Sequence, residues 1–371
     1  QFRKLFYPIQ DAFAHSDALF QTALHPKIVP LWSKMANFKG DTAASIKDVS
    51  TFVNSSAFSE SPQFVFLNLM ETHLPFWPPD TYIDKFAPYF KEDRAARDYI
   101  RRYNVETFRW LLPIEDRLDQ TAERVVSDLY DAEVNYQDHL LGQLLETLNN
   151  AENTLTIIVA DHGEGIGEHS FMGHSFVAYQ ELVHVPLIVK FPESQGANKR
   201  IKETVSTRRL FHTILDAAQA RVPETAYRPA LDIKGLTLSK TVEGDDPEQG
   251  VVFAEAYPPN TFLFMMKKRV PHLIDRFHCD SRRWAAYQDG YKLARTEGID
   301  DELFQLNDDP KELNNIAAEN PEQTTKLNQT LKSFVTQAIG RQLENEHVDQ
   351  SVDIELDENM TQQLRALGYI D

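Results

Sequence analysis

A long amphipathic segment followed at once by an apolar run constrains the fold of this chain more than any other feature. Apolar residues recur at helical spacing between residues 121 and 150, and residues 154–160 then form an apolar run of strand length. Similar runs occupy residues 64–70 and 185–191. Helices that alternate with buried strands are typical of an α/β domain with a mostly parallel sheet flanked by helices. We predict that fold for residues 1–220.

The pattern changes after residue 221 to a connection punctuated by proline and glycine, followed by short strand signals. The predicted strands are residues 251–256, 284–288, 291–294 and 302–306, and a helix is predicted over 321–341. Asp289-Gly290 between two of these strands is typical of a tight hairpin turn. Residues 221–371 are therefore predicted to form a smaller α+β subdomain with an antiparallel sheet, ending in an acidic tail around 344–359.

Charge and cysteine content exclude several classes of function. The net charge of −18 repels phosphate backbones, so nucleic acid is not an expected partner. The single cysteine, Cys279, excludes an internal disulfide and thiolate metal clusters, and we interpret it as structural. No apolar window is long enough for a membrane-spanning helix, so no integral membrane segment is expected. Oligomeric state and cellular location are left open by these features.

The loop after the 154–160 run carries the residues best suited to chemistry. Asp161 and His162 follow that predicted strand directly, and the loop that they open is rich in glycine. A neighbouring carboxylate and imidazole can ligate one divalent cation, while glycines let the backbone turn tightly around it. The alternative is a polar loop in which Asp161 caps a helix and His162 lies on the surface.

Other histidines in the same region favour the metal interpretation. His169 and His174 follow within a dozen residues, and His73 follows the predicted strand at 64–70. Because open α/β sheets bind ligands at the carboxyl ends of their strands, we expect these imidazoles to converge on one pocket. A cation and imidazole donors are what the hydrolysis of a sulfate or phosphate ester requires.

Several motifs in this order resemble the sulfatase family of the alkaline phosphatase superfamily, over most of residues 61–371. They are Glu71-Thr72-His73-Leu74-Pro75-Phe76, Tyr130-Asp131-Ala132-Glu133-Val134, Asp161-His162-Gly163-Glu164, Gly167-Glu168-His169, Gly173-His174, Tyr179-Gln180-Glu181-Leu182, Asp289-Gly290-Tyr291-Lys292-Leu293, Glu302 to Pro310, and Leu364 to Ile370. The resemblance implies an alkaline phosphatase-like fold and a hydrolase of sulfate esters. A small-molecule or saccharide sulfate ester, or a phosphate ester, would be the substrate.

The resemblance also implies roles for individual residues. Asp161 and His162 would be metal ligands, with Ca²⁺ the expected cation and Mg²⁺, Mn²⁺ or Zn²⁺ the alternatives. His73 and His174 would be the catalytic, substrate-binding residues that contact the sulfuryl or phosphoryl oxygens and the leaving oxygen. Many relatives carry a lysine at the position of His174, so binding there would depend on the protonation of an imidazole. The motif residues Glu164, Glu168 and His169 are interpreted as shaping the loop or supporting the ligands.

The sequence departs from the family pattern before His73. Sulfatases carry a formylglycine nucleophile, made from Cys or Ser in a Cys/Ser-x-Pro/Ala-x-Arg segment, and further aspartate ligands upstream. No such segment precedes His73, and the segment that begins at Cys279 lacks the middle proline. We therefore expect an N-terminally incomplete domain that binds metal weakly by itself.

Three functions remain open at this stage. The first is a sulfatase-like hydrolase, present here without its nucleophile. The second is a phosphodiesterase, phosphonate hydrolase or phosphoglycerol transferase of the same superfamily. The third is a non-catalytic binding or interaction protein.

Overall fold

The computed structural model describes residues 39–104, 112–149, 151–194, 196–220 and 233–346. The chain divides into two compact units, Gln1–Leu327 and Asn328–Asp371. The domain boundary predicted between residues 220 and 221 adjoins residues 221–232, which lie outside the described ranges, and it stays a prediction. The end of the predicted acidic tail and the motif at 364–370 also lie outside them.

The helices before the first strand are α1 (Thr42–Val53), α2 (Ser56–Glu60), α3 (Asp80–Phe86), α4 (Arg94–Tyr103) and α5 (Gln120–Leu148). Three of them begin after an aspartate whose side chain accepts hydrogen bonds from the first turn: Asp41 before α1, Asp93 before α4 and Asp119 before α5. Such caps satisfy backbone N–H groups that have no partner within the helix. Helix α5 confirms the helix predicted over residues 121–150.

The apolar face of α5 forms the centre of the N-terminal core. Its fully buried side chains are Val125, Val126, Leu129 and Ala132. Val125, Val126 and Leu129 pack in one cluster with Phe76 and Ile100, which are also fully buried. Burial of an apolar side chain of this size stabilises the folded state by roughly 1.5–3 kcal/mol. The segment after His73 is therefore anchored to α5 through Phe76.

Two of the predicted strands form a ladder, with a pairing that corrects the prediction. Strands β1 (Thr156–Val159) and β4 (Leu187–Lys190) pair antiparallel, with Ile157 opposite Val189. Between them lie the short antiparallel pair β2 (Gly165–Ile166) and β3 (Met172–Gly173) and the one-turn helix α6 (Gln180–Val183). The connection over residues 160–186 is a hairpin and a single helical turn, and not the long crossover helix that usually joins parallel neighbours.

The apolar run at residues 64–70 also differs from the prediction of a strand buried on both faces. Among the described residues this run joins no ladder. Leu67 and Leu69 pack against the cluster of Ile46, Leu140 and Leu144, whereas Phe64 and Phe66 are exposed. This alternation is the two-residue period of an extended chain with one covered face.

The C-terminal elements are α7 (Arg209–Ala217), α8 (Leu238–Glu243), β5 (Val252–Ala256), α9 (Asn260–Arg269), α10 (Pro271–Phe277), β6 (Arg283–Gln288), β7 (Tyr291–Thr296), β8 (Glu302–Gln305) and α11 (Pro321–Glu346). Strands β5–β6–β7–β8 form one antiparallel sheet, which confirms the predicted subdomain architecture. Asp289 and Gly290 both adopt positive φ, the conformation of the predicted tight turn. None of the helices in the described ranges has the length and apolarity that crossing a bilayer requires.

Candidate active site

The loop after β1 carries the two predicted metal ligands. Asp161 Oδ1 accepts a hydrogen bond of 3.0 Å from the backbone N–H of His162, and it lies 3.9 Å from His162 Nε2. Neighbouring ligand atoms on one cation are about 3 Å apart, so a small side-chain rotation would place both on the same ion. The Asp161 side chain is 80% exposed and is open to such an ion.

Gly163 holds this loop against helix α6. Its N–H donates to the carbonyl of Leu182 at 2.8 Å. A Cβ at Gly163 would lie 1.9 Å from the carbonyl oxygen of Glu181, a distance at which the two atoms cannot coexist. The close approach of the two backbones therefore requires glycine at position 163, and it fixes the backbone directly after His162.

Backbone carbonyls select the tautomers of two of the histidines. His162 Nδ1 lies 2.8 Å from the carbonyl oxygen of Gly163, and His73 Nδ1 lies 2.7 Å from that of Leu74. Because a carbonyl oxygen can only accept, each Nδ1 carries the hydrogen. Each neutral ring then presents Nε2 with a free lone pair, the form in which an imidazole binds a cation or accepts a proton.

The predicted histidines lie together, with His174 between the other two. The ring centroids of His162 and His174 are 4.2 Å apart in a stacked arrangement. Those of His73 and His174 are 5.2 Å apart. Residues from three segments of the chain, after residue 70, after β1 and after β3, therefore meet in one place, as expected from the sequence.

His174 is paired with a buried carboxylate. Its Nδ1 lies 3.6 Å from Glu164 Oε1, and the Glu164 side chain is almost fully buried. Neither atom has a hydrogen-bond partner within the described residues. Unsatisfied buried polar atoms are costly, and they concentrate where a ligand or ion supplies the partner. Glu168, by contrast, shapes the loop, since its carboxylate accepts from the N–H of Ile166 at 2.8 Å.

The segment after His73 is fixed by two side chains: Asn104, which the sequence did not single out, and Glu133, which belongs to the motif Tyr130-Asp131-Ala132-Glu133-Val134. Asn104, at the end of α4, accepts from the N–H of Phe76 at 2.9 Å and donates to its carbonyl at 2.7 Å. Glu133 on α5 accepts from the N–H of Trp77 at 2.8 Å and pairs with Lys39 at 2.6 Å. Phe76 is buried in the core, so it does not line the site.

A second cluster of ionisable residues lies beside the loop. His169, Glu181 and Glu312 offer ligand atoms within 4.8 Å of one another. The buried ammonium of Lys292 already lies 2.5 Å from Glu312 and supplies the positive charge there. Burial raises the pKa of Glu181 to about 7 and lowers the pKa of His169. We therefore regard Lys292, and not a metal, as the cation of this cluster.

From the sequence, His169 is interpreted as a residue that shapes the loop. In the structure its ring stacks on that of Tyr179, with centroids 3.7 Å apart. Lys292 and Glu312 were missed because they lie more than 100 residues from the loop along the chain. Lys292 belongs to the motif Asp289-Gly290-Tyr291-Lys292-Leu293 that resembles the family, whereas Glu312 lies outside the motifs of that resemblance. Cys279 is buried, and burial raises the pKa of its thiol to about 11, as suits a structural residue.

The donor chemistry near Asp161 fits a divalent cation. One exposed carboxylate and one imidazole with a free Nε2 are a suitable pair of ligands, although both Ca²⁺ and Mg²⁺ need further oxygens. Next to this pair, His174 can donate to an anion, and His73 can do so through Nε2 when its ring is protonated. The arrangement can therefore hold a cation and an anionic group side by side.

Comparison with known proteins decides the family. The sulfatase family model matches residues 8–220, which is more than half of the chain. The chain belongs to the sulfatase family. A second model, that of the C-terminal region of N-sulphoglucosamine sulphohydrolase, matches residues 167–340.

The relatives of this sulfatase-family chain include bacterial and mammalian proteins. It is 23% identical over 323 residues to the uncharacterized sulfatase YidJ of Escherichia coli K12, covering 81% of this chain and 58% of that protein. It is 30% identical over 201 residues to arylsulfatase K of Bos taurus, covering 53% of this chain and 34% of that protein. The chain thus spans about three fifths of the length of the first relative and about one third of the second.

A solved structure shows the shared fold. The phosphonate monoester hydrolase of Agrobacterium radiobacter superposes with a TM-score of 0.58 at 20% identity, covering 79% of this chain and 60% of that structure. The α/β, alkaline phosphatase-like class predicted from the sequence is therefore confirmed. Members of the sulfatase family depend on a divalent metal cation.

Proposed function

We propose that this chain provides the cation- and anion-binding part of a metal-dependent hydrolase of sulfate esters. The observation that carries the proposal is the convergence of His73, His162 and His174 beside Asp161. Family membership alone leaves the chemistry of the site open, whereas this convergence brings both a ligand pair and anion donors to one place.

Asp161 and His162 would hold the divalent cation, with Ca²⁺ proposed first and Mg²⁺, Mn²⁺ or Zn²⁺ as alternatives. Such a cation, when bound, polarises the oxygens of the ester. His73 and His174 would bind the sulfuryl oxygens, and a protonated His174 would give its proton to the leaving oxygen. Glu164 is buried beside His174, with its Oε1 3.6 Å from His174 Nδ1.

The proposed substrate is a small-molecule or saccharide sulfate ester. Its support is the similarity to arylsulfatase K and to the N-sulphoglucosamine sulphohydrolase model. Turnover also requires a nucleophile, and this sequence contains no Cys/Ser-x-Pro/Ala-x-Arg segment to supply one. We therefore propose turnover only for a form of the protein that carries such a segment.

The test measures how fast that form of the protein hydrolyses esters of different acids. We expect hydrolysis of 4-nitrophenyl sulfate that is abolished by EDTA and restored by Ca²⁺. Asp161→Asn should lower kcat/KM by about 100-fold or more, because a lost metal ligand removes stabilisation of the transition state. His174→Ala should also lower it strongly, while His174→Lys, the residue of many relatives, should recover part of the loss.

Two outcomes would replace the proposal. Hydrolysis of 4-nitrophenyl phosphonate or phosphate esters in preference to the sulfate would assign the site to a phosphonate or phosphate ester hydrolase. An absence of turnover with all of these esters, together with retained cation binding, would indicate a non-catalytic binding protein.

A further inference from the structure

Residues 161–174, called the metal loop, carry the proposed metal ligands. A short segment, residues 174–182, connects this loop to the C-terminal sheet; it begins at His174 and ends on α6. Its last residue, Leu182, accepts the hydrogen bond from Gly163. Both ends of the segment therefore touch the proposed site. Whatever fixes the backbone of this segment also fixes the spacing between His174 and His162.

A fully buried ion pair fixes the middle of that segment. Lys292, on β7, donates to the carbonyl of Ala178 at 2.7 Å and lies 2.5 Å from Glu312, and both side chains have no exposed surface. The other carboxylate oxygen of Glu312 accepts from the N–H of Gln180 at 2.6 Å. The pair thus holds the backbone on both sides of Tyr179.

Side chains of β6 add two further attachments. Tyr287 donates through its hydroxyl to the side-chain oxygen of Gln180 at 3.2 Å. Arg283 donates to the carbonyl of Phe176 at 2.5 Å. Helix α6 has no side-chain cap of its own, so Glu312 takes the place of one from a distant part of the chain.

We infer that Lys292 and Glu312 are positioning residues for the metal loop. They hold residues 178–180, so that Leu182 meets Gly163 and His162 faces His174. Within the described residues, no hydrogen bond or ion pair joins Lys292 or Glu312 to Asp161, His162, His73 or His174. The structural part of this inference is independent of the proposed function, and only its consequence for cation affinity rests on that proposal.

Neutral replacements separate the positioning role from simple loss of a buried charge. The double variant K292M/E312L replaces the pair with apolar side chains of similar size, which often preserves stability. It loses the hydrogen bonds to Ala178 and Gln180. The double variant K292M/E312Q also removes both charges but keeps an amide oxygen that can accept from the N–H of Gln180.

A second buried ion pair provides the matched control. Arg209 is fully buried and pairs with Asp246 at 2.6 Å, and it also donates to the carbonyls of Leu236 and Thr237. Asp246 also bonds to Thr241 and Gly250, and in the described part of the chain no hydrogen bond or ion pair joins this pair to residues 161–182. Asp246→Asn therefore disturbs a buried ion pair of the same chain without touching residues 174–182.

The experiment measures hydrogen exchange of the Gly163 amide, at a temperature at which every variant is folded. We expect K292M/E312L to lose at least about 10-fold of the protection of this amide, because the hydrogen bond to Leu182 opens more often. K292M/E312Q should recover most of the protection, and Asp246→Asn should leave it unchanged even if it lowers Tm. Half-saturation with Mn²⁺ should require about 10-fold more cation in K292M/E312L, as expected for a lost supporting contact.

Unchanged protection of Gly163 in K292M/E312L would overturn the inference. So would an equal loss in Asp246→Asn, since the effect would then be one of general destabilisation. If the wild-type chain itself does not bind Mn²⁺, the proposed function fails, and the exchange of Gly163 still decides the positioning role.

Discussion

The metal loop, residues 161–174, and the sheet β5–β8 differ in how they satisfy their polar groups. In the sheet, backbone groups pair along continuous registers, and Leu303 and Phe304 bury apolar side chains beneath them. In the loop, His169 and Ser170 adopt positive φ, and Glu164 keeps a buried oxygen without a partner in the described structure. The sheet therefore satisfies its polar groups by its own pairing, while the loop depends on contacts from elsewhere in the chain.

Replacement of Gly163 by alanine should have the largest effect on stability and on cation binding. In Gly163→Ala, the new Cβ would occupy the space of the Glu181 carbonyl, so the loop and α6 must separate. We expect a loss of about 3 kcal/mol in the free energy of unfolding and the loss of cation binding. Chemical denaturation and Mn²⁺ titration measure the two effects.

Gly142→Ala is the matched control, because Gly142 lies within α5 and an added Cβ there has no neighbour within 4 Å. Alanine should stabilise that helix by up to about 1 kcal/mol. If the two glycine variants behave alike, the close approach at Gly163 does not support the loop.

A cavity in the sheet should lower stability without changing the site. Leu303 is fully buried on β8, opposite Leu293, on the face of the sheet away from Lys292. Leu303→Ala should cost about 3 kcal/mol by the loss of buried surface and the cavity left behind. Below its Tm the variant should bind Mn²⁺ as the wild type does, and weaker binding would remove the distinction between the two regions.

The titration of Glu181, beside the metal loop, should have the smallest effect on the free energy of unfolding. Burial raises the pKa of Glu181 from 4.5 to about 7, so the folded chain holds this proton more tightly than the unfolded chain. The associated stability is present below about pH 4.5 and is lost as the pH rises through about 7. Allowing for partial exposure of the carboxyl group, the change is on the order of 2 kcal/mol.

Denaturation at pH 5 and pH 8 measures this change. The loss of stability between these values should be smaller in Glu181→Gln than in the wild type, since an amide does not titrate. The exposed control Glu146→Gln should leave the difference as it is. An equal pH dependence in wild type and Glu181→Gln would mean that Glu181 titrates normally.

The sequence predicted the regular elements well, because their signals are local. Helix α5 and the strands β5–β8 follow from apolar periodicity, and Asp289-Gly290 from turn chemistry. The pairing of β1 with β4 did not follow, since an apolar run fits a parallel or an antiparallel neighbour equally well. The one-sided packing of residues 64–70 depends on which neighbours are present, and periodicity does not reveal them.

The residues of the candidate site could be predicted from the sequence, but the residues that hold them in place could not. Asp161, His162 and the neighbouring histidines follow from residue types placed after apolar runs. The partners that hold them, such as Asn104 and Glu312, act across long separations in the chain, where a single sequence carries no pairing signal. Residues proposed for chemistry were therefore identified from the sequence, and the residues that contact their backbone were not.

An electron paramagnetic resonance titration of this chain with Mn²⁺ tests whether Asp161 and His162 bind a cation, and it does so without requiring turnover. We predict weak, saturable binding of one ion that is lost in Asp161→Asn and in His162→Gln. The same binding in both variants and the wild type, or no saturable binding in the wild type, would contradict the assignment of Asp161 and His162 as metal ligands.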